Sequence, residues 1–124
     1  MSTVLIVEDN PTNLRLAVFL LKSVGHTVLT ATDAEAGVTL ARTRQPSLIL
    51  MDIQLPGIDG LGALAVLKAH ESTRHIPVIA LTALAMKGDE QRMLAAGCDC
   101  YISKPINYRD FLATVATHLP LVAP

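Results

Sequence analysis

At 124 residues, 51% of them hydrophobic, the chain has the length of one domain with a substantial core and is too apolar to be disordered. Ten Lys and Arg against 11 Asp and Glu leave a formal net charge of -1, with no basic run to follow a nucleic-acid backbone and no acidic tail, so nucleic acid is not an expected partner. Charges or prolines interrupt every apolar run well short of the ~20 residues of a membrane span, and the start, Met1-Ser2-Thr3 before Val4–Val7 and two acids, lacks the basic and long apolar regions of a signal peptide; no membrane insertion and a cytoplasmic location are expected.

The first segment, Val4–Val7, is a continuous apolar run, the pattern of a strand in a parallel sheet covered on both faces. Asn10-Pro11 then reads as a helix N-cap followed by proline at the first helical position. Leu14, Val18 and Leu21 recur at helical spacing, and Gly25 closes that helix. Thr27–Ala31 is a second strand, and Asp33 caps a second helix running to about Arg44, before Pro46. Leu48–Met51 is another continuous run. Gly60 opens a helix through Leu64 and Leu67 to about His70. Val78–Leu81 is the fourth strand, a helix from near Gly88 passes Met93 to Gly97, and Cys98–Ile102 is the fifth strand. The last helix, from about Tyr108, turns Phe111, Leu112, Val115 and Leu119 inward before Pro120 stops it.

Five strands alternating with five helices predict an α/β domain with a parallel sheet. Right-handed crossovers make a doubly wound architecture natural, and we favour the flavodoxin-like strand order 2-1-3-4-5, although periodicity alone does not fix it. With two Tyr, two Phe and no Trp, the core falls to Leu, Val, Ile and Ala, and Met86 and Met93 read as filler. No repeat, low-complexity tract or linker divides residues 1–124, which are expected to form a single domain. Cys98 and Cys100, two apart in a strand, rarely meet disulfide geometry and are expected as free thiols. His26, His70, His75 and His118 lie on separate segments and suggest neither a metal site nor a phosphohistidine.

Ligands of such sheets bind beyond the carboxyl ends of the strands. Those ends carry Glu8 and Asp9 after the first strand, Asp52 after the third, Thr82 after the fourth and Lys104 after the fifth. Three carboxylates on one rim repel one another, which a divalent cation relieves; oxygen donors without a His or Cys cluster point to Mg2+. A carboxylate there is a potential nucleophile toward phosphorus, with Lys104 as a fixed cation and Thr82 as a hydroxyl donor for the phosphoryl oxygens.

The segments Val7-Glu8-Asp9-Asn10, Leu50-Met51-Asp52-Ile53-Gln54-Leu55-Pro56-Gly57-Ile58-Asp59-Gly60, Ala80-Leu81-Thr82-Ala83 and Ser103-Lys104-Pro105 resemble those of bacterial response-regulator receiver domains, in the family's order and across the whole chain. The stretch 85–92 with Tyr101-Ile102-Ser103-Lys104-Pro105 is further similar to the DivK-type single-domain regulators of cell division, although receivers of hybrid sensor kinases share parts of it. The resemblance implies a phosphoacceptor signalling protein of a two-component phosphorelay, modified on Asp52. Asp9, Glu8 and the backbone carbonyl of Gln54 would join Asp52 in holding Mg2+, with Thr82 and Lys104 on the phosphoryl group. It also implies a cis Lys104–Pro105 bond and a switch role for Tyr101. Glutamate at position 8, where many members carry aspartate, departs mildly from the pattern.

By the same resemblance, Gln54 and Leu84 tune phosphoryl lifetime, and apolar Leu84 points to a long one. A histidine kinase or histidine phosphotransfer protein would dock around the first helix, at Pro11, Leu14 and Val18. A downstream target would read the face holding Arg92, Tyr101 and Tyr108, with Gly88 easing movement of the fourth helix. The protein would be a monomer or weak dimer, either standing alone or taken from a hybrid kinase. It would be no enzyme beyond its own phosphorylation and dephosphorylation. A Mg2+-dependent phosphohydrolase is the main alternative, but such enzymes carry an acid where Gln54 stands. A flavin carrier is disfavoured because the first turn, Glu8-Asp9-Asn10-Pro11, repels phosphate.

Overall fold

A computed structural model describes residues 2–55, 60–83 and 87–119, without the side chains of 87–90. Its strands are β1 (Thr3–Val7), β2 (Thr27–Ala31), β3 (Leu48–Asp52), β4 (Val78–Thr82) and β5 (Cys100–Ser103). They alternate with helices α1 (Pro11–Ser23), α2 (Ala34–Arg44), α3 (Gly60–Ala69), α4 (Lys87–Ala95) and α5 (Tyr108–His118). All strand pairs are parallel, in the order β2-β1-β3-β4-β5, so the doubly wound arrangement and its order are as expected.

The continuous apolar runs follow from coverage of both sheet faces. Alternate strand residues point to opposite sides. Leu5, Val7, Ile49, Met51, Val78 and Ala80 meet Ala34 and Ala41 of α2, Ala63, Leu64 and Leu67 of α3, and Met93 of α4. Val4, Ile6, Leu48, Leu50, Ile79 and Leu81 face the other way, onto Ala17, Leu20 and Leu21 of α1 and Phe111 and Val115 of α5. β3 and β4, central in the sheet, are buried throughout, whereas the edge strands β2 and β5 are only partly so.

Local chemistry sets the helix ends. Asn10 Oδ1 accepts from Asn13 N at 3.0 Å with Pro11 at the first position, and Asp33 Oδ1 accepts from Ala36 N at 2.7 Å. At the end of α2, Gln45 adopts a left-handed conformation (φ 48°), usually left to glycine. Its Nε2 donates to the carbonyls of Ala41 and Arg42, both at 3.2 Å, satisfying groups that the helix end leaves open.

Four of the five strands have boundaries that differ from the sequence reading: β1 begins one residue earlier, at Thr3, and β5 ends one later, at Ser103. β3 and β4 each run one residue further, making Asp52 and Thr82 the last residues of their strands. β5 starts at Cys100, because Cys98 belongs to the close of α4. Gly97 turns with φ 108°, and Cys98 N donates back to Met93 O at 3.3 Å. Cys98 is buried and Cys100 half-buried, both free, and burial pushes the Cys98 thiol up to about 11, which leaves it protonated and unreactive. Met86, Leu84, residues 56–59 and the helix stop at Pro120 lie outside the described residues.

Candidate functional site

The carboxyl rim is built where β3 and β4 end on Asp52 and Thr82 and where Glu8 and Lys104 directly follow β1 and β5. Glu8 N donates to Ala31 O (3.0 Å), Ile53 N to Leu81 O (3.0 Å) and Lys104 N to Thr82 O (2.8 Å), so the parallel ladder holds the backbone one residue past the strands. Glu8 and Asp52 are thereby fixed in place while nearly inaccessible, at 1% and 2% exposure; Thr82 is fully buried and Asp9 exposed. Gly60 lets α3 begin directly under the site. A Cβ there would stand 2.6 Å from Ile53 Cα and against the Asp52 carbonyl, so larger residues cannot enter without moving β3.

The side chains converge as the strand ends suggest. Lys104 Nζ lies 3.0 Å from Glu8 Oε1, 3.2 Å from Glu8 Oε2 and 3.3 Å from Asp52 Oδ2. Asp52 Oδ1 accepts the Gln54 N–H at 2.9 Å. Burial, with a hydrogen bond and charge repulsion from Glu8, pushes the Asp52 carboxyl up to about 6, against the opposing pull of the Gln54 N–H and Lys104. Glu8, Asp9 and Asp52 each offer a carboxylate oxygen, all within 4.8 Å of one another. Such hard, anionic oxygen donors fit Mg2+.

Of the residues singled out from sequence, Glu8, Asp9, Asp52 and Lys104 meet directly, and Gln54 joins through its N–H. Thr82 closes β4 opposite Ser103. Tyr101 is not at this cluster: it lies in β5 opposite Ala80, half-buried against the α2–α3–α4 layer. The Lys104–Pro105 bond is cis, as the resemblance implied. Asn13, which sequence reasoning passed over, donates from Nδ2 to Glu8 Oε1 at 3.0 Å. Its position three residues after the Asn10 cap, where a side chain reaches back past the helix start, was the available signal.

Residues 4–116 match the response regulator receiver domain family. The chain belongs to that family. Among curated relatives, the receiver is 47% identical over 117 residues to the polar-differentiation response regulator DivK of Brucella ovis and of Brucella suis, covering 94% of this chain and 95% of each relative. Among solved structures, it is similar to the receiver domain of a sensor histidine kinase of Pseudomonas aeruginosa PAO1, which has a magnesium ion coordinated in its active-site cleft. That similarity has a TM-score of 0.87 and 35% identity over 94% of this chain and 95% of that one. The Vibrio cholerae chemotaxis protein CheY4, at 24% identity and a TM-score of 0.91 over 96% of this chain and 99% of that one, shares the fold. Receivers are signalling modules rather than members of a conventional enzyme family. No helix among the described residues is long and apolar enough to cross a membrane.

Proposed function

We propose that this receiver accepts a phosphoryl group on Asp52, with Mg2+ held by Glu8, Asp9, Asp52 and the Gln54 carbonyl, from a histidine kinase or histidine phosphotransfer protein. The observation that carries the reading is the meeting of a buried carboxylate, two further acids and a lysine at one rim. A bound Mg2+ supplies charge that offsets the phosphoryl oxygens. An Asp52 oxygen attacks phosphorus as the bond to the donor's histidine nitrogen breaks, and the imidazole keeps that electron pair and takes up a proton. Lys104 Nζ, 3.3 Å from Asp52, faces the transferred group's developing charge, with the Thr82 hydroxyl as a second donor.

Signalling then proceeds by differential binding between two conformations of the protein surface. The proposed target-facing surface comprises exposed Arg92, half-buried Tyr101 and exposed Tyr108, whose ring has the Arg109 guanidinium 5.6 Å from its centre. Gly88 lies in the first turn of α4, which this reading allows to shift. The proposed first-helix docking surface keeps Pro11, Leu14 and Val18 and gains outward neighbours. Leu14 and Val18 pack partly into the core, and the outward apolar residues of α1 are Leu16 and Phe19, 39% and 68% exposed, beside exposed Pro11. A cell-division role, a self-contained domain over 1–124 and a cytoplasmic location belong to the same reading. So does a long phosphoryl lifetime tuned by Gln54 and Leu84. The similarity to polar-differentiation regulators supports a developmental signalling role.

Profiling phosphotransfer from a panel of histidine kinases and phosphotransfer proteins tests the assignment. A small set should transfer rapidly to the wild type and none to Asp52→Asn. Transfer to Asp52→Asn at the wild-type rate would refute it.

A further inference from the structure

Asn13 joins the first turn of α1 to the acidic pocket. Its backbone N–H donates to Asn10 Oδ1 and completes the helix cap, while its side chain donates to Glu8 Oε1, both at 3.0 Å. Glu8 Oε1 therefore accepts from two donors of different character: a neutral amide fixed to a helix, and the Lys104 ammonium at the end of a flexible chain. Lys104 also lies beside Asp52, and its proposed role on the phosphoryl group draws it toward Asp52 and away from Glu8. The Asn13 bond does not depend on where Lys104 goes. It also adds no charge to compete with a cation for the carboxylate.

We propose that Asn13 is a positioning residue of the cation pocket, holding the Glu8 carboxylate beside Asp9 and Asp52 when Lys104 leaves it. The inference rests on the reading of Glu8, Asp9 and Asp52 as the Mg2+ site. Partners behind metal ligands commonly change metal affinity 10- to 100-fold when removed; here the partner is one part-buried hydrogen bond, which places the effect at the low end.

The test is a Mg2+ titration of the full chain followed by backbone amide NMR shifts. Asn13→Ala keeps the backbone N–H that caps α1, and Asn13→Leu keeps the side chain's approximate size without its donor. Both should bind Mg2+ about tenfold more weakly than the wild type. Asn13→Gln, which retains an amide, should recover part of the loss. In a Glu8→Gln background, Asn13→Leu should change the Mg2+ affinity by less than about twofold, because the two residues act through one contact. A residue serving only the helix would lower the melting temperature and leave the Mg2+ affinity alone. Wild-type affinity in Asn13→Leu, or a full tenfold loss on top of Glu8→Gln, overturns the positioning role. Asp9→Asn separates the two levels: a wild type that responds to Mg2+ no better than Asp9→Asn would overturn the cation site itself and this role with it.

Discussion

Each end of the sheet holds a lysine beside an aspartate, and the two pairs are wired differently. At the amino end, Lys68 Nζ donates to the carbonyls of Ile76 (2.9 Å) and Arg74 (3.2 Å) and lies 3.9 Å from Asp99 Oδ2. Asp99 Oδ2 in turn accepts the Val78 N–H at 2.8 Å. Backbone groups that are always present satisfy these charges, so the pair fixes the loops entering β4 and β5. At the carboxyl end, Lys104 Nζ meets the carboxylates of Glu8 and Asp52. Asp52 also accepts the Gln54 N–H, but the ammonium's partners are side chains, a balance that on the proposed function a cation or phosphoryl group would shift. The first pair serves the fold; the second, on the proposed function, holds charge ready at a cost in stability.

The sharpest separation between the ends is chemical. Asp52→Asn should abolish labelling by acetyl phosphate, while Asp99→Ala, which has no acceptor for the Val78 N–H, should label normally and lose about 1–2 kcal/mol of stability. A stable, label-free Asp99→Ala would erase the distinction.

Next comes the pH dependence without Mg2+. Asp52 titrates at about 6 in the folded protein against the usual 3.8, so between those values the folded state binds more protons than the unfolded state. Stability from this group is therefore greatest below 3.8, falls as pH rises, and levels off above about 6. A shift of this size corresponds to at most about 3 kcal/mol. Asp52→Asn should flatten the profile in urea melts and stand above wild type at pH 7; a variant less stable than wild type there would contradict the strained carboxylate.

A smaller effect is expected from the cation. At ten times its dissociation constant, Mg2+ should stabilise the wild type by about 1.4 kcal/mol. Asp9→Asn should lose most of that response and melt higher without metal, whereas Lys68→Met, at the other end, should keep it. An equal Mg2+ response in all three would break the comparison.

The smallest change concerns output. Tyr101→Ala should weaken binding of a downstream target several-fold while phosphotransfer stays within about twofold, since Tyr101 lies apart from the cluster. Loss of phosphotransfer alone would reverse the assignment of surfaces.

The readable parts of this protein were those governed by local rules. The apolar runs of β3 and β4, the Asn10-Pro11 and Asp33 helix starts, and the polar residues at or just past the ends of β1, β3, β4 and β5 all follow from neighbours in sequence. What escaped reading depends on contacts between distant segments or on competing local choices. The strand ends bring Lys104 and Glu8 to one rim, but their direct ion pair, across 96 residues, follows from no spacing rule. Gln45 takes a left-handed conformation because its own amide caps the preceding carbonyls. α1 carries Leu14, Leu16, Val18, Phe19, Leu20 and Leu21, too many apolar residues to define one stripe, so packing against the sheet and α5 decides which face outward.

The most direct test is to treat the wild type with acetyl phosphate, with Mg2+ and with excess chelator, and locate the phosphoryl group by mass spectrometry after borohydride trapping. One Mg2+-dependent modification on Asp52 is the predicted result. Modification elsewhere, or at Asp52 to the same extent in chelator, would contradict a cation-dependent phosphoacceptor at this rim.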